Sequence, residues 1–290
     1  MRPFEYIKVK SLNEAVELLT RYGEKAHLLA GGTDVLVKLK QREMAPEILV
    51  DIKGIPGLSG IECRPGEGMK IGPLTTIREI ETSAVIRDHL PVLAYAAHLL
   101  GSVQVRHRAT IGGNLCNALP SADTGPYLIA MGAKAVVFGP SGERKILVED
   151  IFAASGKNSL GLAEVVTSIE IPAWSRHTGG AYIKHAIKNA VDVAIVCVGV
   201  VVVTDVQKKV FEEARIVLGA VGPRPIRPRG AEEYLKGKPI EEAVMAKAGE
   251  MASQDARPRT TAEYKTEMVE VLTRRAIRQA IADLRLQIAD

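Results

Sequence analysis

His27-Leu28-Leu29-Ala30-Gly31-Gly32-Thr33-Asp34 and, about 80 residues later, Thr110-Ile111-Gly112-Gly113-Asn114 are the two stretches on which the fold turns. Each reads as an apolar strand stopped by a glycine pair and followed by small polar residues. Glycine reaches positive φ and lets a ligand approach the backbone. Successive N–H groups in such a turn form an anion-binding concavity. Two such turns facing each other would hold the two phosphates of a dinucleotide. Neither contains the GxGxxG of a doubly wound nucleotide fold, and no GxxxxGK phosphate loop is present. Spacing alone leaves an ordinary tight turn as the other reading of each pair, and it does not name the ligand.

Outward from the first pair, Ser11-Leu12-Asn13-Glu14 reads as a capping box opening a helix with Ala15, Leu18 and Leu19 at helical spacing. Gly23 closes that helix. Phe4 to Ile7, His27 to Ala30 and Ile48 to Ile52 read as strands, and Thr33 or Asp34 caps a segment over Val35 to Gln41. The chain to about residue 55 is thus a β-α-β-(α)-β unit. Outward from the second pair, Met69 to Gly72 is a strand, Thr76 precedes a short helix and Pro91 to Leu100 is an apolar helix. Val103 to Ile111 runs as an extended segment into Gly112, and Asp123 caps a helix with Pro126 in its first turn. Ala133 to Phe138 and Val165 to Ile171 are strands.

Composition shifts at Pro172 to Gly180 (PAWSRHTGG), which places a boundary near residue 176. The expected units are 1–176, with parts of about 1–55 and 56–176, and 177–290. The second unit holds three extended segments (Ala181–Ala186, Asp192–Asp205, Phe211–Leu218), followed by helices over Gly230–Leu235, Ile240–Met251 and Ala262–Ile288. In the last helix Met268, Leu272, Ile277, Ile281, Leu284 and Ile288 mark one face. The class is α+β.

Composition narrows the function. In 290 residues the formal net charge is +4 and aromatics are 4%, which gives no electrostatic or stacking case for nucleic acid. The longest apolar run, Val193 to Val203, is about half of what a membrane span needs and is β-branched, which suits a buried strand. The opening MRPFEYIKVKSL has no apolar signal core, so a cytoplasmic protein is expected. Cys63, Cys116 and Cys197 are isolated, which argues against a disulfide framework, a zinc site or a cysteine-ligated cluster. The six histidines show no metal-ligand spacing.

The two glycine motifs, together with SLNEAVELL (Ser11–Leu19), QVRHRATIGGNLCNALPSADTGPYLIAMGA (Gln104–Ala133), SIEIP (Ser168–Pro172) and AYIKHAIKNAVDVAIV (Ala181–Val196), resemble the FAD-binding medium subunit of the molybdenum hydroxylases. The resemblance covers essentially the whole chain. It implies a two-subdomain FAD-binding domain of the vanillyl-alcohol-oxidase-like (PCMH) type, then a C-terminal three-stranded sheet with helices. It implies that Ala30, Gly31, Gly32, Thr33 and Asp34 wrap the FAD pyrophosphate with Thr110, Ile111, Gly112, Gly113 and Asn114, donating N–H groups and hydroxyls. Asp123 would lie near the adenosine and ribitol side, Leu160 would pack on the isoalloxazine, and Lys184 would approach the pyrimidine end and tune the potential.

The resemblance also implies partners. A large molybdopterin subunit would oxidise substrate, and a small [2Fe-2S] subunit would relay electrons to FAD. An external electron acceptor would receive them, in a dimer of heterotrimers.

Pro73 departs from the family's usual Ala and removes a donor. Lys188 stands where many relatives carry Arg, and the four-cysteine iron–sulfur insertion of one branch is absent. Plainer roles stand beside these: Asp123 as a helix cap, Lys184 as a solvated strand residue, Arg106 and Arg108 as solvent-facing or interface residues. Two other functions compete. A stand-alone FAD oxidase or dehydrogenase would be reduced by its own substrate, and a flavin-free scaffold would be colourless.

Overall fold

In the computed structural model, which describes residues 2–64, 66–205 and 207–288, the first elements are β1 (Glu5–Lys8), α1 (Leu12–Tyr22), β2 (Ala26–Leu29), α2 (Val35–Gln41) and β3 (Ile48–Asp51). The Ser11 hydroxyl caps α1 by accepting the Glu14 N–H at 3.2 Å. The Glu14 carboxylate reaches back to the Lys10 N–H rather than to that of Ser11. The strands are parallel in the order β1-β3-β2, so β3 is central and all four of its residues are buried. Its Ile48 and Val50 pack with Ala15, Val16 and Leu19 of α1.

A five-stranded antiparallel sheet follows. It contains β4 (Ile61–Arg64), β5 (Gly68–Ile71), β6 (Lys134–Gly139) and β7 (Gly142–Leu147), with β10 (Val165–Pro172) at its centre in the order β4-β5-β10-β6-β7. Six short helices lie between β5 and β6: α3 (Ile77–Thr82), α4 (Ala84–His89), α5 (Pro91–His98), α6 (Val103–Arg106), α7 (Ile111–Cys116) and α8 (Gly125–Ala130). Between β7 and β10 come α9 (Val148–Ile151) and the small hairpin β8 (Phe152–Ala154) and β9 (Lys157–Asn158).

Two expectations fail here. Val103 to Ile111 is not a strand. Ser102 Oγ accepts the Val105 N–H at 3.2 Å, and Thr110 Oγ1 accepts the Gly113 N–H at 3.1 Å. These two caps start α6 and α7 in spite of their β-branched residues, so Gly112 and Gly113 lie inside a helix. Asp123 does not cap α8. Thr124 holds the cap position with αR angles and no side-chain capping bond, while Asp123 turns elsewhere. Pro126 does sit in the first turn, as the sequence predicts.

The remaining strands, β11 (Thr178–His185), β12 (Val196–Asp205) and β13 (Val210–Gly219), form an antiparallel meander. Helices α10 (Arg229–Leu235), α11 (Glu242–Ser253) and α12 (Ala262–Ile288) follow. Val196, Val198, Val200 and Val202 of β12 pack with Val269, Leu272, Ile277 and Ile281 of α12. Val201, on the opposite face, joins the core that contains α8. Burial on both faces explains why β12 reads as one continuous apolar run rather than an alternation. On the predicted face of α12, Leu272, Ile277, Ile281 and Leu284 are buried and Met268 half-buried; the Ile288 side chain lies outside the described residues. Among the described residues no helix is long and apolar enough to cross a membrane.

Candidate functional site

A cleft of about 620 Å³ opens at the carboxyl end of β2, bounded by the β2–α2 loop, the α6–α7 segment and the chain from β9 into β10. Its size suits a small-molecule site, and the ends of parallel strands are where such sites form. Of the residues singled out from sequence, Ala30, Gly31, Gly32, Thr33, Asp34, Thr110, Gly112, Gly113, Asn114, Asp123 and Leu160 line it. Ile111 does not: its side chain is fully buried in the core. Lys184 does not line it either.

The two glycine segments touch. A Cβ at Gly31 would overlap the Arg108 carbonyl, so only glycine lets the β2–α2 loop lie against the backbone that leads into Thr110. Gly32 has φ +80°, a left-handed conformation costly for any side chain. These glycines leave the N–H groups of Gly31, Gly32, Thr33 and Asp34 without an acceptor among the described residues. Four adjacent unengaged N–H groups on residues that line a cleft make a candidate anion cradle.

The second segment works differently from the sequence expectation. The Ile111 N–H donates to Thr75 O (3.1 Å), Gly112 to Pro73 O (2.9 Å), Gly113 to Thr110 Oγ1 (3.1 Å) and Asn114 to Thr110 O (2.9 Å). Its amides are therefore already engaged. What it offers the cleft is the Thr110 hydroxyl proton and the Asn114 side-chain amide, whose Oδ1 accepts from Thr124 at 2.6 Å. Pro73 lines the same wall without an N–H to give.

Asp123 and Lys184 form a buried pair at the cleft floor. Lys184 Nζ lies 3.0 Å from both Asp123 oxygens and 3.1 Å from Leu99 O. The Tyr182 hydroxyl donates to Asp123 Oδ1 at 2.9 Å. Tyr182 and Lys184 are two apart on β11, so the strand period points both at one carboxylate. The Lys184 side chain is 7% exposed, which removes the solvated-strand reading, and it stands behind Asp123 rather than at the cleft surface. Burial pushes the Asp123 carboxyl above its usual range, while Lys184 and Tyr182 pull against it. Burial likewise drives the Tyr182 phenol well above its ordinary value, and the Cys116 thiol in the cleft wall up to about 12.

Sequence reasoning missed Lys38 and Asn117, which meet at 2.8 Å across the cleft. The signal was available: Lys38 follows Asp34 by one helical turn on α2. It also missed the Val191–Val193 lip. Arg106, read as solvent-facing or at an interface, is instead buried against Glu81. Among the described residues there is no cluster of metal-ligating side chains.

The cleft fits FAD on its own chemistry. The free N–H row suits a diphosphate, Asn114 and Asp123 suit sugar and ribityl hydroxyls, and Leu160 offers an apolar face to a ring.

Comparison with known proteins defines the class. Residues 2–174 match the family described as FAD binding domain in molybdopterin dehydrogenase, and residues 181–280 match the CO dehydrogenase flavoprotein C-terminal domain. The carbon monoxide dehydrogenase medium chain of Hydrogenophaga pseudoflava is 36% identical over 283 residues, covering 96% of this chain and 97% of the relative. The xanthine dehydrogenase FAD-binding subunit of Escherichia coli O157:H7 is 30% identical over 282 residues, covering 96% of each. A solved structure of carbon monoxide dehydrogenase from H. pseudoflava, described as lacking the Mo-pyranopterin moiety of its cofactor, superposes with a TM-score of 0.92 at 36% identity over 98% of this chain and 99% of that one. The chain belongs to the FAD-binding medium subunits of the molybdenum hydroxylases, a family of oxidoreductase subunits.

Proposed function

We propose that this chain relays electrons inside a molybdenum hydroxylase and does not itself meet the substrate. In this reading a large molybdopterin partner would oxidise substrate, a small [2Fe-2S] partner would pass the electrons on, and this chain would hold the FAD that serves an external acceptor in the cytoplasm. Bound FAD supplies the step between one-electron and two-electron carriers. The assembly in this reading is a dimer of heterotrimers, and residues 1–176 bind the cofactor while 177–290 brace it.

The chain's own residues bind and orient. The Gly31 to Asp34 amides hold the diphosphate, and Thr110 and Asn114 hold it from across the cleft with side-chain donors. Asp123 accepts hydrogen bonds from hydroxyls, Leu160 covers a ring face, and Lys184 acts through Asp123 by holding that buried carboxylate in place. The observation that carries this reading is the row of unengaged amides at Gly31–Asp34, on residues that line the same cleft as Thr110 and Asn114.

The test is spectral and anaerobic. The purified complex should show flavin bands that bleach when substrate is added, whereas the isolated chain loaded with FAD should not bleach with the same substrate. Bleaching of the isolated chain would make it a self-sufficient oxidase or dehydrogenase, and a colourless complex would remove the cofactor reading.

A further inference from the structure

One residue outside the cleft lining, Glu81, gathers groups from four short helices, three of them on its carboxylate and one on its backbone carbonyl. Glu81 on α3 accepts from Arg106 Nε (2.7 Å) and Nη2 (3.3 Å) on α6. Arg78 Nη1 lies 3.0 Å from Glu81 Oε2, and His98 Nδ1 on α5 lies 2.9 Å from Oε1. Arg87 Nε on α4 donates to the Glu81 backbone carbonyl at 2.9 Å. The third arm of the Arg106 fork, Nη1, holds the Leu100 carbonyl at 3.1 Å. The Glu81 and Arg106 side chains are only 7% and 6% exposed.

A buried ion pair is weak evidence for stability, because apolar replacements of similar volume often stabilise as well or better. What such a pair supplies is a fixed arrangement. Here the arrangement concerns the cleft. Leu100, Gly101 and Val105 line it, and they fall within the stretch from Leu100 to Arg106 that the Nη1 bond closes. Two residues beyond Arg106, the Arg108 carbonyl is the surface against which Gly31 rests, and two further on Thr110 starts α7. The backbone on which Gly31 rests is therefore two residues from the Arg106 anchor.

We propose that Glu81 and Arg106 are a positioning pair that holds the α6–α7 wall at the distance the cofactor requires, without touching the cofactor. This rests on the reading of the cleft as the FAD site. Lysine in place of Arg106 would keep the charge but lose the fork, so it could not hold Glu81 and Leu100 together.

The experiment compares wild type, Arg106→Lys, Glu81→Gln and, as a control, Arg278→Gln, which breaks an exposed pair with Glu242. The full-length chain is produced within its complex. FAD affinity and peptide-level hydrogen exchange are both measured. The expected result is about tenfold weaker FAD binding in the two cleft-wall variants. Faster exchange should be confined to residues 99–112, with β12 and α12 unchanged, and the control should match wild type. Arg106→Lys keeps the measurement available should Glu81→Gln fail to fold. Variants that bind FAD as tightly as a flavin-loaded wild type, or that exchange faster throughout the chain, overturn the pair alone. A wild type that takes up no FAD overturns the cofactor reading and this inference with it.

Discussion

Two glycines in the same cleft make opposite demands on a side chain. At Gly31 a Cβ would overlap the Arg108 backbone, and nothing flexible can give way. At Gly113 a Cβ would meet only Thr110 Oγ1 at 3.0 Å, and the backbone is helical. Gly31→Ala should therefore lower the melting temperature by several degrees and lose flavin. Gly113→Ala should keep its melting temperature within a degree or two and reduce only flavin content. Equal melting losses in the two variants, measured on flavin-free protein, would show that Gly113 is constrained by the fold and not by a ligand. Both pairs were visible in the sequence. What was not visible is that the Ile111 to Asn114 amides are used internally, because Thr75, Pro73 and Thr110 supply their acceptors from outside the motif or from its cap.

The misreading of Val103 to Ile111 belongs to the scale of the element. Its Val and Ile residues favour a strand on propensity, yet Ser102 and Thr110 each cap a turn three residues ahead, and local capping decides. The same signal at Ser11 and Thr76 is followed by helices α1 and α3. The Asp123 cap was the mirror error. An aspartate before a Gly-Pro helix start looks like a cap, but Lys184 and Tyr182, about 60 residues later, offer it stronger partners. Thr110→Ala should remove the α7 cap and cost about 1 kcal/mol of stability in the flavin-free chain, with Thr110→Ser restoring most of it. Urea unfolding curves of the three proteins check this. An alanine variant as stable as wild type would mean that the Thr75 and Pro73 carbonyls hold α7 in place without the cap.

At the scale of the whole molecule, the layer plan was legible because periodicity reports burial. The continuous β12 run and the single apolar face of α12 both announce a sheet with helices against it. The ion-pair hub at Glu81 was not legible, since its members are spread from Arg78 to Arg106 and only the packed helices bring them together. That hub makes a prediction about the whole chain. Burial alone would raise the Glu81 carboxyl, but hydrogen bonds from His98, Arg78 and Arg106 outweigh it and hold the carboxyl at about 2, against an ordinary value of 4.5. A depressed carboxyl contributes stability that is complete above its unfolded value and is lost as pH falls through its folded one. Between about pH 4.5 and 2 the unfolded chain therefore binds one more proton at this site, which adds about 1.4 kcal/mol per pH unit to the slope of stability. Glu81→Gln leaves Arg106 buried beside a neutral amide, so the variant should be less stable at neutral pH. Its acid limb should also be shallower by about that one-proton slope. The height of the curve could fall for many reasons, but its slope falls only if this carboxylate titrates where the geometry places it. Denaturant unfolding at a series of pH values separates the two. An acid slope in the variant as steep as in wild type would mean that Glu81 is not held in its charged form by the helices around it.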